Sequence, residues 1–295
     1  MTIRRRTRVL FLALASLITV FGVCELAAHV RAQAGPPPWS APSVAEEAAF
    51  AAVEQNEMIR ARELGEAVVA EDPTSFIGHL TLAYAQHFAE ANFPRALYHA
   101  NQALTHFEAR FGPEPQTPAP WMWHARIIQE LGNVHGELGH HAERIALIER
   151  FNRSYQPQMV AEIAWSLMKL GRYDEARAAA RQGLAEDRPD QVVVALNALC
   201  AIEFEAGRDG ASYDACGQAL AYSRAHGRAT VVDLTNFAES ARTMLQLAEA
   251  ERALNTALRL DRNFVPALVN FADLQRSLGH EAEAARWLAR AMAAA

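Results

Sequence analysis

Lysine is almost absent from this 295-residue sequence: Lys169 is the only one, so nearly all the positive charge is arginine. Together with the abundance of alanine, this reads as genomic codon composition. Clustered basic charge is also missing from most of the chain. Arg4, Arg5, Arg6, Arg8 and Arg31 lie in the first 34 residues, opposed only by Glu25. The remainder carries 23 Lys and Arg against 33 Asp and Glu, a net charge of about −10 before histidine. Nucleic-acid binding needs Arg and Lys placed to neutralise phosphates, so so acidic a body excludes it. Lying on an anionic membrane surface is excluded on the same ground. Enzyme signatures are lacking too. There is no G-x-S-x-G elbow, no phosphate-cradling glycine loop and no dinucleotide fingerprint. His124, His135, His140 and His141 lie close in sequence to Glu137 and Glu143. They have neither the H-E-x-x-H spacing nor a cysteine to complete a tetrahedral set. No catalytic residue, metal site, cofactor or small-molecule substrate is therefore expected; the alternative is a metal-dependent enzyme with His124, His135, His140 and Glu137 as its site. What is present in quantity is apolar surface, 51% of residues with 21% charged, which is ample for a folded chain.

The first 34 residues read as an address. After Met1-Thr-Ile-Arg-Arg-Arg-Thr-Arg8 the chain is uncharged from Val9 to Cys24, and Ala32-Gln33-Ala34 forms an A-x-A exit. A basic start, a short apolar core and a small-residue exit describe a secretory signal peptide, cleaved between Ala34 and Gly35. The alternative is an uncleaved anchor, if the apolar run is stretched past Glu25 to Ala28. Either way the body lies outside the cytoplasm, periplasmic or secreted after cleavage, or held to the membrane by its N-terminus alone. Residues 35–43 are proline-rich and form a semi-stiff spacer.

Internal repetition organises the rest. Leu138-Gly-His-His-Ala-Glu-Arg144, Leu170-Gly-Arg-Tyr-Asp-Glu-Ala176, Ala206-Gly-Arg-Asp-Gly-Ala-Ser212 and Leu278-Gly-His-Glu-Ala-Glu-Ala284 share one plan. A glycine ends one helix, a polar turn follows, and acidic or small residues open the next. Gly139, Gly171 and Gly207 are 32 and 36 residues apart. Ala250 and Ala284, Ala257 and Ala291, and Leu258 and Met292 each lie 34 apart. Ala257-Leu-Arg-Leu-Asp-Arg-Asn-Phe-Val-Pro-Ala-Leu268 closes one helix and starts another on a proline. This pattern resembles the tetratricopeptide repeat, over residues 42–295 and most closely from 157 onward. Its units fall at 42–75, 77–110, 125–156, 157–190, 193–226, 231–264 and 265–295. The fold implied is all-α, a right-handed α-solenoid of antiparallel helix pairs. Residues 44–110 hold degenerate units and 125–295 about five further ones. Between them Pro113, Pro115, Pro118 and Pro120 stop any helix, so 111–124 is expected as a loop, with Trp121 and Trp123 tucking it onto the helical body.

The resemblance implies function by groove. In that family the first helix of each unit lines a concave surface that holds a partner protein or peptide. Here those positions are Thr235, Asn236, Glu239 and Arg242, and in the next unit Val269, Asn270, Asp273 and Arg276. Glu130, Glu137 and Glu162 at earlier positions would repel a carboxylate, so a neutral or basic segment is expected. Cys200 and Cys216 fall in mid-helix on either side of the turn at Gly207. They are either a disulfide or two small packing residues. At the C-terminus Ala284, Leu288, Ala291 and Met292 have no following unit to cover them, so this end is expected to dock on a partner or a second copy.

Overall fold

The computed structural model describes residues 41–114, 118–155, 159–185, 188–227 and 229–294. The signal segment, its exit at Ala34 and Gly35, and most of the spacer lie outside the described residues. Among those that are described there are fourteen helices and no strand. No described helix is long and apolar enough to cross a membrane.

The chain divides into two compact units, one ending at Leu170 and one beginning at Gly171. The first unit holds α1 (Val44–Glu54), α2 (Met58–Glu71), α3 (Phe76–Phe88), α4 (Phe93–Phe111), α5 (Pro118–Glu137), α6 (His141–Ser154) and α7 (Val160–Lys169). The second holds α8 (Tyr173–Ala185), α9 (Pro189–Glu205), α10 (Asp209–Ala225), α11 (Val231–Thr243), α12 (Leu247–Leu260), α13 (Val265–Ser277) and α14 (Glu281–Ala294). Within each unit every helix packs on the next.

The second helix of most pairs buries residues, the majority of them small, at positions i, i+4 and i+7. These are Ala61, Gly65 and Val68 in α2, Ala96, Ala100 and Ala103 in α4, and Ala176, Ala180 and Gly183 in α8. Ser212, Cys216 and Ala219 in α10 and Ala250, Leu254 and Ala257 in α12 continue the series. A spacing of four and three residues places them on one helical face, and their size lets the helices approach closely. In α6 the same frame carries Arg144, Ile148 and Phe151. There the neighbouring helix gives way instead: a Cβ added to Gly136 of α5 would lie 3.1 Å from Arg144 Cδ.

The remaining volume is filled differently in the two units. In the first, aromatic rings meet edge to face, Phe50 on Trp123 at 4.8 Å and Phe76 on Phe107 at 5.3 Å between centroids. In the second, Leu220, Leu234, Leu254, Phe271 and Leu274 pack among alanines. The expected loop at 111–124 is shorter than its prolines suggest. α5 begins at Pro118, because prolines in a first helical turn remove only N–H groups that have no partner anyway. Trp121 and Trp123 are therefore helical. Trp123 is buried in the core, and Trp121 rests edge-on against Tyr155 at 4.6 Å.

Helix pairs turn on single residues of positive φ: Asn56, Ala91, Gly139, Gly171, Gly207, Leu245 and Gly279. After five of these, an N–H bonds back to the carbonyl five residues earlier: Glu57 to Ala52, His140 to His135, Arg208 to Glu203, Gln246 to Ala241, and His280 to Gln275. This satisfies carbonyls that the helix end leaves open. Leu245 holds φ at 59° with its side chain 77% exposed, so it bears left-handed strain with little burial in return. Leu245→Gly should raise the unfolding free energy by roughly 0.5–1 kcal/mol, and Gly279→Ala should lower it by about the same. Urea midpoints at unchanged slope measure both.

Candidate partner-binding face

The first helices of the pairs touch one another directly. α1, α3 and α5 do so in the first unit, and α9, α11 and α13 in the second. The polar residues on this layer are largely committed to each other.

In the second unit Asp233 joins two tasks. It completes the capping box at the start of α11 with Thr230, and it accepts a hydrogen bond from Asn197 Nδ2 of α9 at 3.0 Å. Asn270 of α13 is 2% exposed and donates to the Thr235 carbonyl of α11 at 3.3 Å. Thr235 is buried and turns its own hydroxyl back onto the Val231 carbonyl. Glu239 is buried beneath a two-point pair with Arg242, whose other nitrogen donates to Ser277 Oγ of α13 at 3.4 Å. Asp273 pairs with Arg276 in the same i, i+3 relation.

The eight groove residues inferred from the repeat pattern thus separate. Thr235, Glu239, Asn270 and Asp273 are buried. Asn236, Arg242 and Val269 are half-buried, and Arg276 is exposed. Asn236 and Asn270 are 34 residues apart but differ in role, because the Asn270 amide fastens α13 to α11.

In the first unit two of the three acids expected to repel a carboxylate, Glu130 and Glu162, are paired within the unit, while Glu137 is exposed. Glu130 of α5 is fully buried, and its Oε1 lies 2.8 Å from His87 Nδ1 of α3. Burial works against the charged form of His87, but the bond and charge of Glu130 outweigh it and hold the imidazole above its ordinary 6.5. Burial also raises Glu130, against the pull of His87. Glu162 of α7 is buried and meets Arg144 Nη2 at 3.4 Å. The argument from those two acids therefore fails, because each carries its counter-charge within the same unit.

The four histidines singled out in the sequence do not converge. His124 is buried on α5, its Nε2 accepting from Arg150 at 3.2 Å and its Nδ1 bonded to the Tyr155 hydroxyl. Burial, and then the Arg150 charge, push it down to about 3, so it is neutral. Arg150 also donates to the Pro113 carbonyl at 2.8 Å and to Glu108, fastening the α4–α5 turn. His135 and His140 meet at 3.2 Å across the α5–α6 turn, away from these partners. Among the described residues no group of three or more His, Cys, Asp or Glu is placed to hold a metal ion. Cys200 and Cys216 are joined as a disulfide between α9 and α10, with Cα atoms 4.7 Å apart.

Sequence reasoning missed a third set of histidines, His79, His99 and His106, along α3 and α4. It also missed the His87–Glu130 pair. Partners 43 residues apart leave no local pattern, and only the stacking of first helices brings them together.

Residues 157–190, which hold α7 and α8, match the family model for the tetratricopeptide repeat. Three solved structures share the architecture. A tetratricopeptide repeat protein from Parabacteroides merdae aligns over 84% of this chain and 91% of its own, at 14% identity and a TM-score of 0.63. A chain of the APC/C hetero-tetramer Cut9–Hcn1 aligns over 86% of this chain and 46% of its own, at 15% identity and 0.63. PilW, a widely conserved type IV pilus biogenesis factor, aligns over 75% and 93%, at 17% identity and 0.57. This is the tetratricopeptide-repeat fold. No curated protein matches the sequence.

The buried pair gives the tetratricopeptide units a pH signature. A histidine raised on folding contributes stability that is complete below the unfolded value of 6.5 and is lost as pH rises through the folded value. The difference in unfolding free energy between the wild type and His87→Gln should therefore shrink from pH 6 to pH 9. Urea titrations at a series of pH values read that difference; a constant gap would contradict the ion-paired assignment.

Proposed function

We propose that this chain is an exported, non-catalytic scaffold that holds a partner protein or peptide against its layer of first helices. The tetratricopeptide fold generally mediates protein–protein interaction, and that coarser statement stands on the fold itself. The observation that carries the finer reading is the state of the α11–α13 face. Its charges and amides are fixed by Asn270, Glu239 and Asp273, while Asn236, Val269, Arg242 and Arg276 keep open surface. A rigid surface with a few open polar and apolar groups loses little side-chain freedom when a segment binds. Mixed rather than single-sign charge there favours a largely neutral segment.

Export is supported by the arginine-led apolar segment and the A-x-A exit before Gly35. The disulfide between Cys200 and Cys216 suits an oxidising compartment. Two of the similar structures offer parallels. PilW is a type IV pilus biogenesis factor, and the Cut9–Hcn1 chain belongs to a hetero-tetramer.

A photo-crosslinking residue placed at Asn236 or Val269 in intact cells should give a discrete heavier adduct. The same residue at Arg252, exposed on the second helix α12, should give none. Equal labelling at all three sites, or none at any, would remove the first-helix face from the account.

A further inference from the structure

We propose that α4 is an acid-released latch: protonation of His79, His99 and His124 frees this helix from α3 and α5, while α3 and α5 stay fastened to each other. Uncharged imidazoles hold α4 on both flanks. On the α3 side, His79 Nε2 faces the Pro73 carbonyl at 3.1 Å. A carbonyl only accepts, so that nitrogen carries the hydrogen of the ring and Nδ1 keeps its lone pair. His99 Nδ1 of α4, 3.0 Å away, therefore donates to it. This contact holds one proton between two nitrogens, and with both rings protonated two N–H groups would face each other. His106 of α4 stacks on His79 at 5.4 Å between centroids, and Arg95 of α4 stands beside His99. Asp72, with Arg110 near it, is the one acid felt by His79. On the α5 side, His124 stacks on Phe107 of α4, with centroids 5.0 Å apart and planes 17° from parallel. Its Nε2 accepts from Arg150 of α6 at 3.2 Å and its Nδ1 is bonded to the Tyr155 hydroxyl, so both nitrogens are engaged. A proton at Nε2 would set N–H against the guanidinium that also ties Glu108 of α4 and the Pro113 carbonyl.

Little else holds α4 in place. Its buried face is Ala96, Ala100, Ala103, Phe107 and Phe111, and the three alanines remove little apolar area from water. Each of the three rings favours release in acid. Burial, and then the neighbouring His79 and Arg95, push His99 down to about 4. Burial holds His79 below its ordinary value against the bond to Pro73, with His106 adding to it and Asp72 opposing it. Burial and the Arg150 charge put His124 at about 3. A histidine lowered on folding contributes stability that is complete above 6.5 and is lost as pH falls toward the folded value. One ring at about 4 against 6.5 favours the open form by roughly 80-fold at pH 4.5 relative to pH 8. The His87–Glu130 pair that joins α3 to α5 has the opposite sign. Both groups are raised, so acid does not weaken that joint, and Glu137, the other acid acting on His87, also lies on α5. In the second unit His226 and His280 are exposed, so its second helix α12 has no counterpart to these rings.

The test is amide hydrogen exchange of the full chain from pH 8 to pH 4.5, corrected for the intrinsic pH dependence of exchange and read helix by helix by mass spectrometry. Protection of α4 should fall at least about tenfold more than that of α3, α5 or α12, with onset between about pH 6.5 and pH 5. In the doubly substituted His99→Gln, His124→Gln chain that margin should disappear. The latch is overturned by three results: no such margin in the wild type, an onset only below about pH 5, where carboxylates rather than histidines take up protons, or a margin that survives in the double variant. Should the double variant be unfolded at pH 8 by circular dichroism, the wild type decides alone. A margin with its onset above about pH 5 then supports the latch, and a missing margin or a lower onset refutes it.

Discussion

Close approach between neighbouring helices is the constraint on which the rest of this molecule depends. A pair of short helices can bury only one side unless the next pair stacks against it. The chain meets this with Ala, Gly, Ser and Cys on the second helices, at 61 and 65, 96, 100 and 103, 176, 180 and 183, 212, 216 and 219, and 250 and 257. Where α6 departs from the rule with Arg144, the adjoining helix substitutes Gly136. Small volume is conserved at the contact even though the residue supplying it changes sides. The disulfide and the hydrogen bond from Ser212 Oγ to the Cys200 carbonyl at 3.1 Å reinforce one such contact.

That packing has a consequence for the first-helix layer. When first helices are drawn together, polar side chains between them lose water and must find partners within the chain. Asn197 with Asp233, Asn270 with Thr235 and His87 with Glu130 are those partners. What remains for recognition is the set of groups at the margin of this network. Specificity toward a partner then rests on a few open residues held by a stiff polar framework.

The fold was legible in the sequence because one turn solution recurs. Glycines at 139, 171, 207 and 279 mark helix ends, and the 34-residue recurrence of Ala250, Ala257 and Leu258 marks the helices that follow. Asn56, Ala91 and Leu245 perform the same turn without glycine, so their pairs carry no comparable mark. Pro118 and Pro120 were misleading in isolation, since the same residue that stops a helix can open one. The site was legible only in outline. Periodicity put Asn236 and Asn270 at equivalent positions, yet one is half-open and the other a buried fastening. That distinction depends on which carbonyl lies opposite, and no local pattern carries it. The histidines near the α5–α6 turn drew notice because they are close in sequence. Those that meet on α3 and α4 did not, being up to 27 residues apart.

Enlarging a small contact residue tests the central claim most directly. Ala257 of α12 is fully buried, and Ala248 of the same helix is exposed. Ala257→Leu should lose about 1–3 kcal/mol of unfolding free energy through overpacking, while Ala248→Leu stays within about 0.5 kcal/mol of the wild type. Equal stability of the two variants would show that close approach at the small residues does not hold the helix pairs together.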